Sequence, residues 1–156
     1  MAAKSAPKPF TPTQEKIVDV VVKPVSRINT WLYRMTGGKV GGRWTYGAPV
    51  MLVTMTGRKS GRRLTTPLLY LRDGKDVVTV ASKGGFSKHP KWFLNLQANP
   101  DCEVEIGREK TQMRARRATP DEKTKYWPQL VEMYPDYDMY QQRTDRDIPV
   151  VILSPR

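Results

Sequence analysis

The chain has 156 residues, a length that fits one domain, and its 38% hydrophobic and 27% charged residues are typical of a globular protein. No apolar run approaches the roughly 20 residues that span a bilayer, and the first residues lack the apolar core expected of a secretory signal. The single cysteine, Cys102, excludes an intrachain disulfide and predicts a reducing, cytoplasmic location.

The net charge of +12 is distributed unevenly along the chain. Residues 1–72 hold 13 Lys and Arg but only two acidic residues, Glu15 and Asp19, whereas residues 73–156 are nearly neutral. Such an asymmetric charge favours an anionic partner, for which a phosphate ester, a polycarboxylate, an anionic lipid and a nucleic acid all qualify. Charge alone does not choose among these four classes.

Residues 1–10 are rich in Ala, Lys and Pro and predict a disordered basic tail, followed by one folded domain over residues 11–156. The first predicted helix begins at this boundary. Thr11 is its expected N-cap, with Pro12 in the first turn and Gln14 completing a capping box.

Pro24 is expected to end or kink this first helix. From Val25 to Met35 a second helical stretch has a continuous apolar face and several cations, and Gly37 supplies its stop. A basic amphipathic helix can lie on an anionic membrane surface. The alternative is that the helix packs on the fold with its charges outward.

Six short strands are predicted between turn signals in the rest of the chain. They cover Val50–Thr56, Leu64–Arg72, Val77–Ser82, Glu103–Ile106, Thr111–Arg117 and Val150–Leu153. A helix is predicted over Pro90–Ala98, and a second, capped at Thr119, is expected to be interrupted at Pro128. This order predicts an α+β, mainly β fold, in which a small antiparallel barrel carries flanking helices.

The residues that build metal centres are scarce. One histidine, His89, and one cysteine argue against a protein-only metal site, since zinc sites draw mainly on sets of these two types. Neither a G-x-S-x-G nor an H-E-x-x-H motif occurs. If the protein is an enzyme, we therefore expect an organic cofactor to supply the chemistry.

Two glycine-bounded segments carry cations at predicted strand ends. The run Gly57–Arg63 (GRKSGRR) holds four cations, and its turned backbone and arginines suit a phosphate or a carboxylate. The run Ala81–Gly85 (ASKGG) ends a strand with a hydroxyl, a cation and two glycines, which would allow a flat ring with an anionic tail to approach closely. The alternatives are a solvated hairpin tip and an ordinary strand-ending loop.

Two aromatic groups could line a pocket. Trp92 and Asn95 are three residues apart and share one helix face, where Trp92 alone would suit a core and Asn95 would not. Tyr134, Tyr137 and Tyr140 would place three hydroxyl-bearing rings along one side of a helix, which suits a pocket lid. A helix packed on the barrel with its hydroxyls at the rim explains the same spacing.

Five segments together resemble the deazaflavin-dependent nitroreductase family. They occur in the family's order and at near-constant spacing: SRINTWLYR (26–34), TGRKSG (56–61), ASKGG (81–85), WFLNLQANP (92–100) and YWPQLVEMYP (126–135). The resemblance implies a split β-barrel like the FMN-binding split barrels and a requirement for coenzyme F420, without a metal. It also implies quinones or bicyclic nitroimidazoles as acceptors.

The resemblance also implies roles for individual residues. Ser82 would lie near the reducible group of the acceptor, and Tyr134, Tyr137 and Tyr140 would line the acceptor pocket. The implied coenzyme-binding residues are Arg58, Lys59, Ser60, Arg63, Pro67, Ser82, Lys83, Gly84, Gly85, Trp92 and Asn95. One departure is Leu69, which stands where the family has a tyrosine after Pro-Leu, so a polar contact to nitroimidazoles would be lost.

The expected function is therefore transfer of a hydride from reduced deazaflavin to a planar acceptor such as a quinone or a nitroaromatic. A basic small-barrel nucleic-acid-binding module is one alternative, supported by a pI near 10 and opposed by the acidic Glu132, Asp136 and Asp138 among the C-terminal aromatics. An FMN-binding split-barrel protein is the other. We expect no nucleic-acid partner, allow peripheral membrane contact, and leave monomer and homodimer open.

Overall fold

The structure is a computed structural model that describes residues 7–156. Its four helices are α1 (Pro12–Thr36), α2 (Lys91–Ala98), α3 (Pro120–Met133) and α4 (Asp136–Arg143). Its seven strands are β1 (Val50–Thr56), β2 (Arg63–Leu69), β3 (Leu71–Asp73), β4 (Asp76–Val80), β5 (Asp101–Ile106), β6 (Glu109–Arg117) and β7 (Val150–Pro155).

All seven strands form one antiparallel sheet in the order β2-β1-β5-β6-β7-β4-β3. The mainly β prediction is confirmed at this level. The expected count of six strands was wrong, because the predicted strand Leu64–Arg72 divides at Tyr70. Before this residue the chain pairs with β1, with Leu69 opposite Val50, and after it Leu71 pairs with Val78 of β4.

The strands bury side chains on both faces of the sheet, because successive side chains point in opposite directions. Val77 and Val151 pack with α2 residues in one apolar cluster. Their neighbours Val78 and Ile152 pack with α3 and α4 residues in another. Strands covered on both sides read as continuous apolar runs, which is how β7 appears in the sequence.

Helix α1 continues through Pro24, so the expectation that the helix could end at this residue was wrong. An internal proline removes one hydrogen bond and costs a helix about 3 kcal/mol. Contacts on both sides of Pro24 offset that loss. Asp19 pairs with Lys83 before it, and the buried Tyr33 hydroxyl accepts from Gly107 N at 2.8 Å after it.

The predicted helix ends are confirmed where local capping signals exist. Thr11 Oγ1 accepts from Gln14 N at 3.3 Å, and Gly37 caps the other end of α1 in the left-handed region with φ of 61°. Thr119 forms the same kind of capping box at the start of α3. The predicted interruption at Pro128 was wrong, since α3 continues through it to Met133.

Residues 1–6 of the predicted N-terminal tail lie outside the described residues. Its last residue, Phe10, contacts the fold directly. The Phe10 ring lies edge-on to Phe86 at 4.9 Å between centroids, and the Arg143 guanidinium lies 4.4 Å from the Phe10 ring centre. The disordered tail therefore stays a prediction for residues 1–6.

Candidate active site

A cleft of about 620 Å³ lies between α1, the edge strand β2, the turn after β4 and the helices α2 and α4. Cations from α1 and the turn contribute to its wall, and so do tyrosines and tryptophans. Lining residues used below are Asp19, Lys23, Arg27, Trp44, Pro67, Leu69, Ser82, Lys83, Gly84, Trp92, Asn95, Tyr134, Tyr137 and Tyr140.

The turn Ala81–Phe86 has an unusual backbone. Lys83 has φ of 44°, a left-handed value that non-glycine residues adopt infrequently, and Gly84 and Gly85 continue the left-handed path at 62° and 79°. Ser82, Lys83 and Gly84 line the cleft. Gly85 does not line it, because it is buried against the backbone of Tyr140.

Lys83 is held by an acidic residue of α1. Its Nζ lies 3.1 Å from Asp19 Oδ2, and one helical turn earlier Glu15 accepts from Ser87 N at 2.9 Å and from Ser87 Oγ at 3.1 Å. The only two acidic residues among the first 72 therefore both contact the segment that includes the turn. Any anion that binds Lys83 competes with Asp19.

Gly85→Ala is expected to destabilise the protein by about 2–5 kcal/mol, from a left-handed backbone and an overpacked contact. A Cβ at this position would lie 2.5 Å from Tyr140 O. Gly74→Ala is the matched control, since Gly74 has φ of 59° and open space around its Cβ direction, so only the backbone penalty applies. Thermal or urea unfolding measures both, and equal losses would contradict the close packing.

The three predicted tyrosines come together, but not on one helix. Tyr134 is the C-cap residue that follows α3, whereas Tyr137 and Tyr140 lie on α4. The Tyr134 and Tyr140 hydroxyls are 3.0 Å apart, and the rings of Tyr134 and Tyr137 lie edge to face at 4.9 Å. Tyr46 adds a fourth ring 5.6 Å from Tyr134, and its hydroxyl donates to Asp136 Oδ1 at 3.1 Å.

The hydroxyls of Tyr134 and Tyr137 are kept protonated by their surroundings. Burial raises the pKa of Tyr134 well above its usual value, and its hydrogen bond with Tyr140 raises it further. Burial likewise raises the pKa of Tyr137. At neutral pH these groups are hydrogen-bond donors rather than phenolates.

Helix α2 connects the cleft to the cationic turn between β1 and β2. Asn95 is only 5% exposed, and its Oδ1 accepts from Arg58 N at 3.2 Å and from Arg58 Nη1 at 3.0 Å. This contact explains why a polar residue, Asn95, lies on the same helix face as Trp92. Arg58 is thus tied to a residue of the cleft wall, although its own side chain is exposed and does not line the cleft. Lys59 and Ser60 on the turn and Arg63 at the start of β2 are also exposed and do not line it.

Sequence reasoning missed several residues that the fold brings to the site. Trp44 lines the cleft from the loop before β1, and the W-T-Y-G aromatic cluster was the available signal. Lys23 and Arg27 were assigned to a helix surface, yet both line the cleft. Arg146 was not singled out by any local pattern, although it donates hydrogen bonds to three carbonyl oxygens of the turn beside the cleft.

The sole histidine, His89, contacts Arg146 beside the turn, and this environment changes its pKa. His89 Nδ1 lies 2.9 Å from Arg146 Nη1, and burial, followed by the charges of Arg146 and Arg117, lowers the pKa of His89, with Asp147 opposing them. The folded state therefore disfavours the imidazolium. Since the unfolded chain takes up this proton near pH 6.5, the contribution of His89 to stability is complete above that pH and falls below it.

The wild-type protein is expected to lose stability as the pH falls from 7 to 5.5, and His89→Asn is expected to lose less. Asparagine can keep an acceptor near the Nδ1 position without gaining a charge. Urea unfolding at half-unit pH steps measures the difference. Parallel pH profiles for the two proteins would contradict the assigned direction of the pKa shift.

Three further features of the described residues bear on function. Within residues 7–156, no three histidine, cysteine, aspartate or glutamate side chains gather as a possible metal site. No helix in that range combines the length and hydrophobicity needed to cross a bilayer. Cys102 is buried, and burial raises the pKa of its thiol to about 11, so it is not a nucleophile at neutral pH.

The cleft combines cations, stacking aromatic rings and neutral hydroxyl donors in one apolar cavity. Such a set suits a planar molecule with a negatively charged part, and it contains no nucleophile activated by a base. The fold and the site together define a small cofactor-binding protein.

Comparisons with known proteins identify the family within this class of cofactor-binding proteins. Residues 25–155 match the family described as F420H(2)-dependent quinone reductase. The F420H(2)-dependent quinone reductase Rv1261c of Mycobacterium tuberculosis is 38% identical over 133 residues, which are 83% of this chain and 89% of that protein. The chain belongs to the F420H(2)-dependent quinone reductase family, and the resemblance to deazaflavin-dependent enzymes is confirmed.

Two solved structures are similar in fold. A structure described as an F420-H2 dependent reductase (FDR-A) has a TM-score of 0.64 and 41% identity, over 68% of this chain and 94% of that one. A structure described as a domain-swapped dimer has a TM-score of 0.66 and 36% identity, over 85% of this chain and 100% of that one.

Proposed function

We propose that this protein is an oxidoreductase that uses reduced coenzyme F420 to reduce a quinone or another planar acceptor, such as a nitroaromatic. The observation that carries the proposal is the cleft of about 620 Å³, which Lys83 and the tyrosine cluster line together in a member of this family. The bound coenzyme would supply the hydride. The protein would bind, orient and shield the two reactants.

The residues present fit the coenzyme by their chemistry. Deazaflavin is a flat ring system with a phosphate and carboxylates on its tail, and the cleft offers Trp92 for stacking and Lys83 for charge. Pro67, Ser82 and Gly84 would form walls close to the ring. Gly85 would act indirectly, by letting the turn pack against α4.

The turn between β1 and β2 would hold the anionic tail. Arg58 is tied to Asn95 at the cleft, which supports a path from the cleft to the exposed Lys59, Ser60 and Arg63. Exposed cations contribute less per contact than partly buried ones, because water and salt screen them. We therefore assign Lys83 the larger share of coenzyme affinity.

Tyr134, Tyr137, Tyr140 and Ser82 are the proposed catalytic residues. Hydride transfer to a quinone leaves negative charge on an oxygen, which a neutral hydroxyl can stabilise by donating a hydrogen bond. The hydrogen bond between Tyr134 and Tyr140 engages only one of their two protons. The other proton is free to face the acceptor.

Mixing the purified protein with reduced coenzyme and menadione tests the function. We expect the visible absorbance of the oxidised deazaflavin to return at a rate proportional to protein concentration. Titration of the protein with FMN, followed by tryptophan fluorescence, tests the flavin alternative. Absence of turnover together with tight FMN binding would contradict the proposal.

A bicyclic nitroimidazole in place of menadione tests the acceptor range. Leu69 lines the cleft with an apolar side chain where a tyrosine hydroxyl would otherwise stand. We propose that quinones are better substrates than nitroimidazoles for this reason. Leu69→Tyr should narrow the difference in kcat/KM between the two acceptors.

We also propose that α1 contacts anionic membranes, where hydrophobic quinones dissolve. Five apolar residues form a row on α1, and each is 57–63% exposed. Four cations lie beside this row on the helix. A helix with this pattern suits a negatively charged membrane surface. The apolar row is Ile17, Val21, Ile28, Trp31 and Met35. The cations beside it are Lys16, Lys23, Arg27 and Arg34, of which Lys23 and Arg27 also line the cleft and Arg34 pairs with Glu105.

Vesicle co-sedimentation tests this contact. Phosphatidylglycerol vesicles should bind the protein and phosphatidylcholine vesicles should not, and Trp31→Ala should weaken the binding. Equal recovery with both lipids would contradict it. The cytoplasmic location predicted from the single cysteine stays a prediction.

We further propose that the sheet is a split barrel. Its two edge strands, β2 and β3, are consecutive in the chain and meet at Tyr70, and Thr79 Oγ1 of β4 donates to Leu69 O of β2 at 2.7 Å. For the oligomeric state, the relative described as a domain-swapped dimer supports a homodimer. Sedimentation velocity distinguishes it from a monomer.

A further inference from the structure

Arg146 lies behind the turn Ala81–Phe86 and is not part of the cleft wall. Its guanidinium donates to three carbonyl oxygens of that turn, at 3.2 Å to Ala81 O, 2.9 Å to Ser82 O and 3.1 Å to Phe86 O. The fourth contact is His89 Nδ1 at 2.9 Å. Its partners are thus backbone carbonyls and an imidazole rather than carboxylates.

These hydrogen bonds surround the strained residue of the turn. A non-glycine residue in the left-handed region costs about 1–3 kcal/mol and persists only where its neighbours hold it. Arg146 binds the carbonyls of Ser82 and Phe86 on either side of Lys83, and Arg143 Nη1 binds Gly84 O at 2.9 Å. A fork of several fixed donors suits this task, and a lysine cannot reproduce it.

The same guanidinium joins the turn to the tyrosines. Arg146 follows α4 by three residues, and α4 carries Tyr137 and Tyr140. Gly85 packs directly on the Tyr140 backbone. The distance between the turn and the tyrosine cluster is therefore set by contacts behind the cleft.

We infer that Arg146 is a positioning residue, an inference that rests on the proposed function. It keeps Lys83 in its left-handed conformation, so that Ser82 and Lys83 face the cleft opposite the tyrosines. Arg146 touches neither reactant and acts through the turn. We expect its effect on coenzyme binding to depend mainly on Lys83, the residue of the turn that has both the left-handed backbone and the charge.

A double-mutant cycle measures that dependence. Arg146→Ala alone is expected to weaken F420 binding at least tenfold, and Arg146→Lys is expected to recover only part of the loss. In the Lys83→Ala background, Arg146→Ala should add less than threefold, because residues that act through one another are not additive. Losses that multiply, or an Arg146→Ala effect within twofold of wild type, would overturn the inference.

The matched control is Arg114→Ala, which removes the same charge from a pair with Asp101 on the surface and contacts no part of the turn. It should leave the affinity for F420 unchanged. Should Arg146→Ala fail to fold by circular dichroism, Arg146→Lys replaces it in the same cycle.

A measurement without coenzyme separates this inference from the proposed function. Gly85 N donates to Ser82 O at 2.9 Å and Phe86 N to Lys83 O at 3.1 Å, and both bonds depend on the shape of the turn. Hydrogen exchange of the Gly85 and Phe86 amides should be at least tenfold faster in the Arg146→Ala variant than in the Arg114→Ala variant. Failure of wild type to bind F420 removes the proposed function, whereas unchanged exchange shows that Arg146 does not hold the turn.

Discussion

Coenzyme F420 is expected to bind about 10- to 100-fold more weakly to the Lys83→Ala variant than to the wild-type protein. A hydrogen bond to a charged group contributes about 1.5–3 kcal/mol, which corresponds to this change in affinity. The Lys83 side chain is only 20% exposed, so solvent screens it less than the cations of the β1–β2 turn. Quenching of tryptophan fluorescence measures the affinity, because Trp44 and Trp92 line the cleft.

The matched control is Lys110→Ala, which removes a lysine that pairs with Glu103 on the β5–β6 hairpin. Its affinity for F420 should equal that of wild type at physiological salt. Lys59→Ala should weaken binding only a few-fold, and Asp19→Asn should strengthen it, since Asp19 competes for Lys83. Wild-type affinity in both lysine variants, Lys59→Ala and Lys83→Ala, would contradict the assigned coenzyme site.

Tyr140→Phe is expected to lower kcat for menadione by about 10- to 1,000-fold while leaving the affinity for F420 within a few-fold of wild type. Removal of one donor to a developing oxyanion has an effect up to this size in other enzymes. Tyr134→Phe should have a similar effect. The double variant should lose less than the product of the two, because the hydroxyls share a hydrogen bond. Stopped-flow oxidation of bound reduced coenzyme measures the step.

Tyr126→Phe is the control for loss of a buried tyrosine hydroxyl. The Tyr126 hydroxyl donates to Asp73 at the end of β3, which raises the pKa of Tyr126 to about 12, and Tyr126 does not line the cleft. Its kcat should match wild type even if its melting temperature falls. Equal kcat values for Tyr126→Phe and Tyr140→Phe would contradict a role for the cleft tyrosines in the reaction.

Local signals in the sequence predicted the element ends well. Both capping boxes, at Thr11 and Thr119, and the left-handed Gly37 occur as predicted. Each depends on groups within about four residues, so the amino acids themselves carry the information. The hairpin turns at Gly74 and Gly107 follow the same rule.

The three errors in the fold arose where distant contacts outweigh a local preference. Pro24 and Pro128 disfavour a helix locally, yet contacts on both sides of each proline keep the helices intact. In α1 these contacts are the ion pairs of Asp19 with Lys83 and of Arg34 with Glu105. In α3 they are the buried side chains of Tyr126 and Leu130. Tyr70 has no local signal for a break. The strand divides there because its two halves pair with β1 and β4.

For the site, nine of the fourteen site residues predicted from the sequence line the cleft, but their contact partners were not predicted. Lys83 was expected to face an anionic ligand, and its pairing with Asp19, 64 positions earlier, was not predicted. Likewise, Arg58 and Asn95 were assigned separately, and the fold joins them. Arg146 has no motif at all, because its role comes from three carbonyl groups about 60 residues away.

The sequence by itself determined the helix caps, the turns, the mainly β composition and the chemical types gathered at the cleft. These properties depend on single residues and near neighbours. Only the tertiary structure decided which cation meets which acid, that the tyrosines cluster from two helices, and that Arg146 supports the turn. Those contacts depend on the pairing order of the seven strands, which brings residues from distant parts of the chain within hydrogen-bonding distance.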